Sequence, residues 1–302
     1  MAALGYDRYC DELRVQTALL RSSVEGADMT APVAACPGWT LGQLLRHVGG
    51  THHWAATVVR TRATGPVPED LVNDVSGYAD AEPAAMDAWL AEGTALLVDA
   101  LRTTGPTARV WTPGPGGSTL FWARRMLHEA VVHRADAYRT AGAEFTLDED
   151  IAVDGIDEWM GFGAVPEVIA PRPGVPPLLG PGRTLRFHGV GATPGAAVEW
   201  LVDLTGDRVL SRRTDERDGG RGGVSGGIGG GIGGRVSGGG GDDEREDRHE
   251  DRRAAVTVRA TMSDLLLLLY RRRTPTGTGI GIDGDAGLLD LWVERSGFWL
   301  RE

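Results

Sequence analysis

Glu129 and His133 stand four residues apart in the segment LHEAVVHRADAY, residues 127–138. On a helix that spacing turns one side chain from the other by about 40°, so both lie on one face. A carboxylate and an imidazole held this way can grip a divalent metal, and they can equally form a plain ion pair. Two ligands make half a site, and a third must arrive from another helix. His47 is the best-placed candidate, because it lies beside the apolar face of a helix with its own start signal. His52 and His53 follow it by five and six residues and fall about 140° and 240° around that helix. His128 precedes His133 by five residues, so HEAVVH is not the zincin H-E-x-x-H, and that class of hydrolase is disfavoured.

Two histidines and one carboxylate leave at least one coordination position open, the pattern of a catalytic site. Zinc suits these ligands, and nickel, cobalt or ferrous iron also accept them. Asp136, three residues after His133, is placed either to orient an imidazole or to pair at the surface with Arg134 or Arg139. Cys36 is the other reactive type, but nothing near it in sequence lowers its pKa, and it reads as a buried structural thiol. No G-x-S-x-G, C-x-x-C or G-x-G-x-x-G occurs in a usable context, so nucleotide cofactors have no support.

The elements that must position these residues are legible from periodicity. Tyr6 to about Val24 reads as a first amphipathic helix. Thr40 and Gln43 form a T-x-x-Q capping box, followed by Leu41, Leu44, Leu45 and Val48 on one face. That helix is expected to continue through Trp54 and Val58, weakened at Gly49-Gly50. After a loop at 64–79, Pro83 opens a third helix running to about Leu101. In the fourth, Leu120–Tyr138, the residues Trp122, Met126, Glu129 and His133 form one continuous face toward the bundle. A short fifth helix is expected at Asp148–Met160.

Residues 165–182 are rich in proline and glycine and read as a linker between a bundle over 1–164 and a smaller α+β domain over 183–302. Strands are expected at Thr184–Gly189, Ala197–Leu204, Arg208–Ser211, Ala254–Thr261 and Gly279–Ile282. Ser263 is expected to cap a leucine-rich helix, Asp264–Tyr270, and a final helix covers Ala286–Arg295. Residues 215–253 interrupt this domain. Between Gly219 and Gly241, 15 of 23 residues are glycine, and the run DDEREDRHEDRR follows, so we read a disordered insertion.

Composition narrows the classes further. The 302 residues carry 42 acidic against 31 basic side chains, a balance that disfavours a nucleic-acid surface. Every basic residue is arginine, which removes lysine Schiff bases and P-loops. Two cysteines, Cys10 and Cys36, imply no disulfide framework. No apolar run is long enough for a membrane span, and the chain's opening residues do not read as a signal peptide; a cytoplasmic protein is expected.

The segments CPGWTLGQLLRHVGGTHHWAATVV (36–59) and LHEAVVHRADAY (127–138) resemble the mycothiol-dependent maleylpyruvate isomerase family. The resemblance continues through LRFHG (185–189), VTVRATMSDLLLLLYRR (256–272) and IDGDAGLLDLW (282–292). It implies a DinB-like helical bundle followed by an α+β domain, with a metal held by His47, Glu129 and His133. It also implies mycothiol as the thiol cofactor and a dicarboxylate or other electrophile as substrate. A thiolate adding to an activated double bond, followed by rotation and departure, gives cis–trans isomerisation; addition without reversal is S-transfer. The family's substrate-side arginine matches Arg272, which also suits a plain helix C-terminal charge. The family usually has glycine before that arginine, where this chain has Arg271. Other readings are a metal-dependent hydrolase using bound water, and a non-catalytic metal- or ligand-binding protein.

Overall fold

The computed structural model describes residues 4–69, 82–114, 116–192, 197–215 and 254–298. The expected glycine-rich insertion, and positions 70–79 of the expected loop, lie outside the described residues. The chain divides into two compact units: 1–158 with 270–272, and 159–269 with 273–302.

The first unit is built on four long helices: α1 (Tyr6–Ser23), α2 (Leu41–Thr61), α3 (Pro83–Thr104) and α4 (Thr119–Thr140). A fifth, α5 (Glu149–Gly163), begins in it. Thr40 caps α2 as its sequence predicts: its side chain accepts from the Gln43 N–H, and the Gln43 side chain accepts from the Thr40 N–H at 2.8 Å. The helices pack as a ring, α2 lying against α3 and α4, and α1 against α4 and α3. That arrangement makes α2 and α4 neighbours. Their buried faces carry Leu41, Leu44, Val48 and Val58 from the one, and Trp122, Met126, Leu127 and Ala130 from the other.

Gly49 and Gly93 have a packing role that the helix pattern alone does not show. A Cβ on Gly49 would lie 2.3 Å from the Trp89 ring, and one on Gly93 would lie 2.8 Å from the His53 ring. His53 and Trp89 stack at 4.8 Å between α2 and α3. The glycines weaken each helix but let the aromatic pair fit between them.

Asp154 of α5 ties three helices together. Its carboxylate receives the Tyr9 hydroxyl, the Arg124 guanidinium and His128 Nε2, each at 2.8 Å. The histidine excluded from the metal face by spacing therefore has a structural partner. Burial alone would raise the Asp154 pKa, but His128, Arg124 and Tyr9 outweigh it and hold the carboxyl well below its ordinary range.

The second unit contains a five-stranded sheet in the order β3-β2-β1-β4-β5. Its strands are β1 (Thr184–Val190), β2 (Ala197–Asp203), β3 (Leu210–Asp215), β4 (Val256–Thr261) and β5 (Gly281–Gly284). β1 and β4 are parallel, and the other neighbours are antiparallel. Alternation places Leu185, Phe187, Val198, Trp200, Val202, Val256 and Val258 in the core. A short helix α6 (Pro166–Ile169) lies in the proline-rich stretch, and α7 (Met262–Leu269) and α8 (Ala286–Ser296) complete the elements. Several boundaries differ from expectation by two residues or more: β3 starts at Leu210, β4 at Val256, β5 at Gly281 and α7 at Met262, and α5 runs on to Gly163. Ser263 is not the cap of α7. Thr261 takes that role, its hydroxyl accepting from the Asp264 N–H at 3.1 Å. No helix among the described residues is long and apolar enough to cross a membrane.

Gly49→Ala should destabilise the protein by about 1–3 kcal/mol, because overpacking outweighs the helix-propensity gain of about 1 kcal/mol. A lower urea midpoint at unchanged slope is the expected result. Asp154→Ala should cost about 3 kcal/mol at neutral pH, since it strands buried partners. The folded carboxyl titrates below the unfolded one, so its contribution is full above about pH 4 and fades as the pH falls through the folded value. The stability gap between wild type and Asp154→Ala should therefore be smaller at pH 3 than at pH 7.

Candidate metal centre

α2 and α4 bring His47, Glu129 and His133 together. His47 is 3% exposed and His133 is 7% exposed, and both direct Nε2 at the same oxygen, Glu129 Oε1. The separations are 3.2 Å from His47 and 3.0 Å from His133. A tetrahedral ion with bonds of about 2.0 Å has ligand–ligand edges of about 3.3 Å, so these separations suit coordination as well as hydrogen bonding. All three donor atoms lie within 4.8 Å of one another. The two imidazole rings meet edge-on at 5.1 Å, and Trp39 of the C-P-G-W loop covers His47 at 5.0 Å.

The second Glu129 oxygen points elsewhere. Arg125, one turn earlier on α4, donates from a terminal nitrogen to Oε2 at 2.7 Å. The other terminal nitrogen of Arg125 contacts Glu158 and donates to the Tyr270 hydroxyl at 2.9 Å. Burial would raise the Glu129 pKa, but Arg125, His133 and His47 hold it well below the carboxylate range. Burial works against a charge on His133 too, yet Asp136, Cys36 and Glu129 hold its imidazole well above the ordinary value.

His133 has a second set of neighbours. Its Nδ1 lies 3.0 Å from Asp136 Oδ2. Asp136 is 2% exposed, so the surface pairing with Arg134 or Arg139 is not what the structure has. Its partner is Arg272, which donates from Nε to Oδ1 at 3.1 Å and from a terminal nitrogen to Oδ2 at 2.9 Å. That terminal nitrogen also lies 3.7 Å from Cys36 Sγ, and the thiol lies 3.8 Å from Asp136 Oδ2. Cys36 is therefore only partly buried and sits beside charge, unlike the enclosed structural thiol expected of it. Cys36, His133 and Asp136 also satisfy metal-ligand spacing, but a guanidinium already answers the Asp136 charge.

Arg272 thus stands near the three proposed ligands with its fork engaged on Asp136. Its remaining terminal nitrogen donates to the Tyr270 carbonyl at 2.9 Å. His52 and His53 face away from the ligand set: His52 Nδ1 lies 3.0 Å from the Thr94 hydroxyl, and His53 lies against Trp89. Burial pushes the His52 pKa down to about 3. Sequence reasoning did not single out Arg125, Glu158 or Tyr270. Arg125 carries a readable signal, since it precedes Glu129 by four residues on the ligand face.

Arg271 has a φ of +61°, in the left-handed region that favours glycine. In this chain a residue with a Cβ holds that left-handed turn. Arg271→Gly should be more stable than Arg271→Ala by about 1 kcal/mol, because both lose the side chain and only alanine retains the left-handed cost. Paired denaturation curves check this.

Residues 10–138 match the family description "Mycothiol maleylpyruvate isomerase N-terminal domain", and residues 150–291 match "MDMPI C-terminal domain". A crystal structure of the mycothiol-dependent maleylpyruvate isomerase aligns over 95% of this chain and 98% of that one, with 16% identity and a TM-score of 0.57. A crystal structure of a histidine-to-alanine mutant of that isomerase aligns over the same shares, with 15% identity and a TM-score of 0.57. At such identity the likeness shows a shared fold. No curated protein sequence matches the chain. With its two family domains in order and together spanning most of its length, the chain belongs to the mycothiol maleylpyruvate isomerase family of enzymes.

Proposed function

We propose that this chain is a metal-dependent, thiol-using isomerase acting on a maleylpyruvate-like substrate, with mycothiol as the thiol. The observation that carries the reading is the convergence of His47 Nε2, His133 Nε2 and Glu129 Oε1. These residues fit a divalent ion, and two imidazoles with one carboxylate suit zinc. Held there, the ion would supply the positive charge that favours a thiol's deprotonated form.

The chain's own residues do the rest. Asp136 fixes His133 through Nδ1, which leaves Nε2 as the coordinating nitrogen. Arg272 keeps Asp136 charged and in place, and adds positive potential for an anionic thiol or substrate carboxylate. In the isomerisation itself, the thiolate sulfur bonds to one alkene carbon while the π pair moves toward the adjacent carbonyl. Rotation about the new single bond follows, and the returning electron pair expels the sulfur. The engagement of the Arg272 fork on Asp136 favours a second reading, S-transfer to an electrophile that needs no bidentate carboxylate clamp. We read the protein as cytoplasmic, and its division into a metal-binding bundle over 1–164, a linker and a domain over 183–302 as part of the same proposal.

Metal analysis should find stoichiometric divalent metal in purified wild type and loss of it in the His47→Ala, Glu129→Ala double variant. Equal, substoichiometric metal in both would overturn the metal assignment. Turnover of maleylpyruvate should require mycothiol. Turnover indifferent to the thiol in metal-loaded protein would overturn the thiol assignment.

A further inference from the structure

Glu129 has two oxygens with different fates. Oε1 faces both ligand histidines, and Oε2 receives Arg125 at 2.7 Å. The guanidinium is not free to follow a moving carboxylate. Its side chain is 8% exposed, its other terminal nitrogen is held by Glu158 and by the Tyr270 hydroxyl at 2.9 Å, and Glu158 is itself 6% exposed. A carboxylate can bind a divalent ion through one oxygen or through both. To bind through both, Glu129 would have to withdraw Oε2 from a guanidinium that Glu158 and Tyr270 hold in place, giving up a charge-assisted hydrogen bond.

We infer that Arg125 is a positioning residue that holds Glu129 to one-oxygen coordination and so keeps a coordination position open for the thiol. This inference rests on the proposed metal site and adds a residue to it. Three linked consequences follow from the geometry. The metal is held by two nitrogens and a single oxygen. Glu129 shares its charge with Arg125 and is the weaker donor for it, which leaves more of the ion's charge for an incoming ligand. The i, i+4 placement of Arg125 and Glu129 on α4 fixes this orientation within one helix.

Cobalt-loaded protein gives a readout independent of turnover, because visible absorption per cobalt falls as coordination number rises. Wild type should take up stoichiometric cobalt with an intense visible band. Arg125→Met combined with Glu158→Gln removes the clamp together with the carboxylate that balances it, and leaves Glu129 Oε2 for the metal to take up. It should bind cobalt at equal stoichiometry with a band several-fold weaker. Arg125→Lys, which keeps the positive charge on a single donor nitrogen, should restore part of the intensity. An unchanged band in a fully loaded double variant would overturn the role of Arg125. Wild type that binds no stoichiometric cobalt would instead overturn the metal reading on which the inference rests. If the double variant does not fold, a crystal structure of zinc-loaded wild type decides. One Glu129 oxygen on the metal and the other on Arg125 supports the clamp, and both oxygens on the metal overturn it.

Discussion

The bundle is organised around a half-buried carboxylate, Glu129, that is answered on both oxygens. Removing an ionised Glu from water costs several kcal/mol unless cations and donors surround it. Here Oε1 of Glu129 is answered by His47 and His133 and Oε2 by Arg125. The neighbours of α4 follow from that need: α2 must lie beside it to present His47, and α5 must bring Glu158 to balance Arg125. The capping box at Thr40 sets where α2 begins, and thereby which of its three histidines reaches the carboxylate. Moving the start of α2 by one residue would turn His47 by about 100°.

Much of this is legible in the chain, because helical periodicity is a local property. The row Trp122, Met126, Glu129 and His133 could be read as one face, and the exclusion of His128, His52 and His53 follows from the same angles. Each of those three has found a partner elsewhere: Asp154, Thr94 and Trp89. His47 could be chosen from its place beside the apolar face of a capped helix, although spacing does not say which helices are neighbours; the family resemblance implies the same three residues. Asp136 shows where local reading ends. Its position leaves it on the ligand face, but aspartate is ordinarily exposed, and the arginine that makes burial tolerable lies 136 residues away. β3 was misplaced for a different reason. Its sequence LSRRTD carries charges, which an edge strand tolerates but which disguise it as a turn.

The position of Arg271 shows a backbone constraint met by a residue type that does not favour it. The left-handed turn after α7 is what sets Arg272 against Asp136 and Cys36. A glycine would adopt that turn without strain, yet the arginine adopts it too, so surrounding contacts outweigh a cost of about 1–2 kcal/mol. Arg271 is therefore compatible with the contacts that Arg272 makes to Asp136 and Cys36.

Charge balance gives the remaining step from geometry to ligand. Arg125, Glu129, His133 and Asp136 follow one another down α4 with alternating sign when the imidazole is protonated, and Glu158 and Arg272 close the two ends of the row. In the protonated form of His133, which Asp136, Cys36 and Glu129 favour, these six side chains carry three positive and three negative charges. Coordination through Nε2 requires that proton to leave. Exchanging it for a divalent ion leaves one positive charge in excess, in surroundings that screen it poorly. A neutral ligand would leave that excess uncorrected, whereas a monoanion removes it. With the proposed ion bound, the bundle would favour a ligand that arrives as, or becomes, a singly charged anion, and a thiol that gives up its proton is such a ligand. The Cys36, His133 and Asp136 set differs in this respect, because Arg272 already supplies a cation to Asp136.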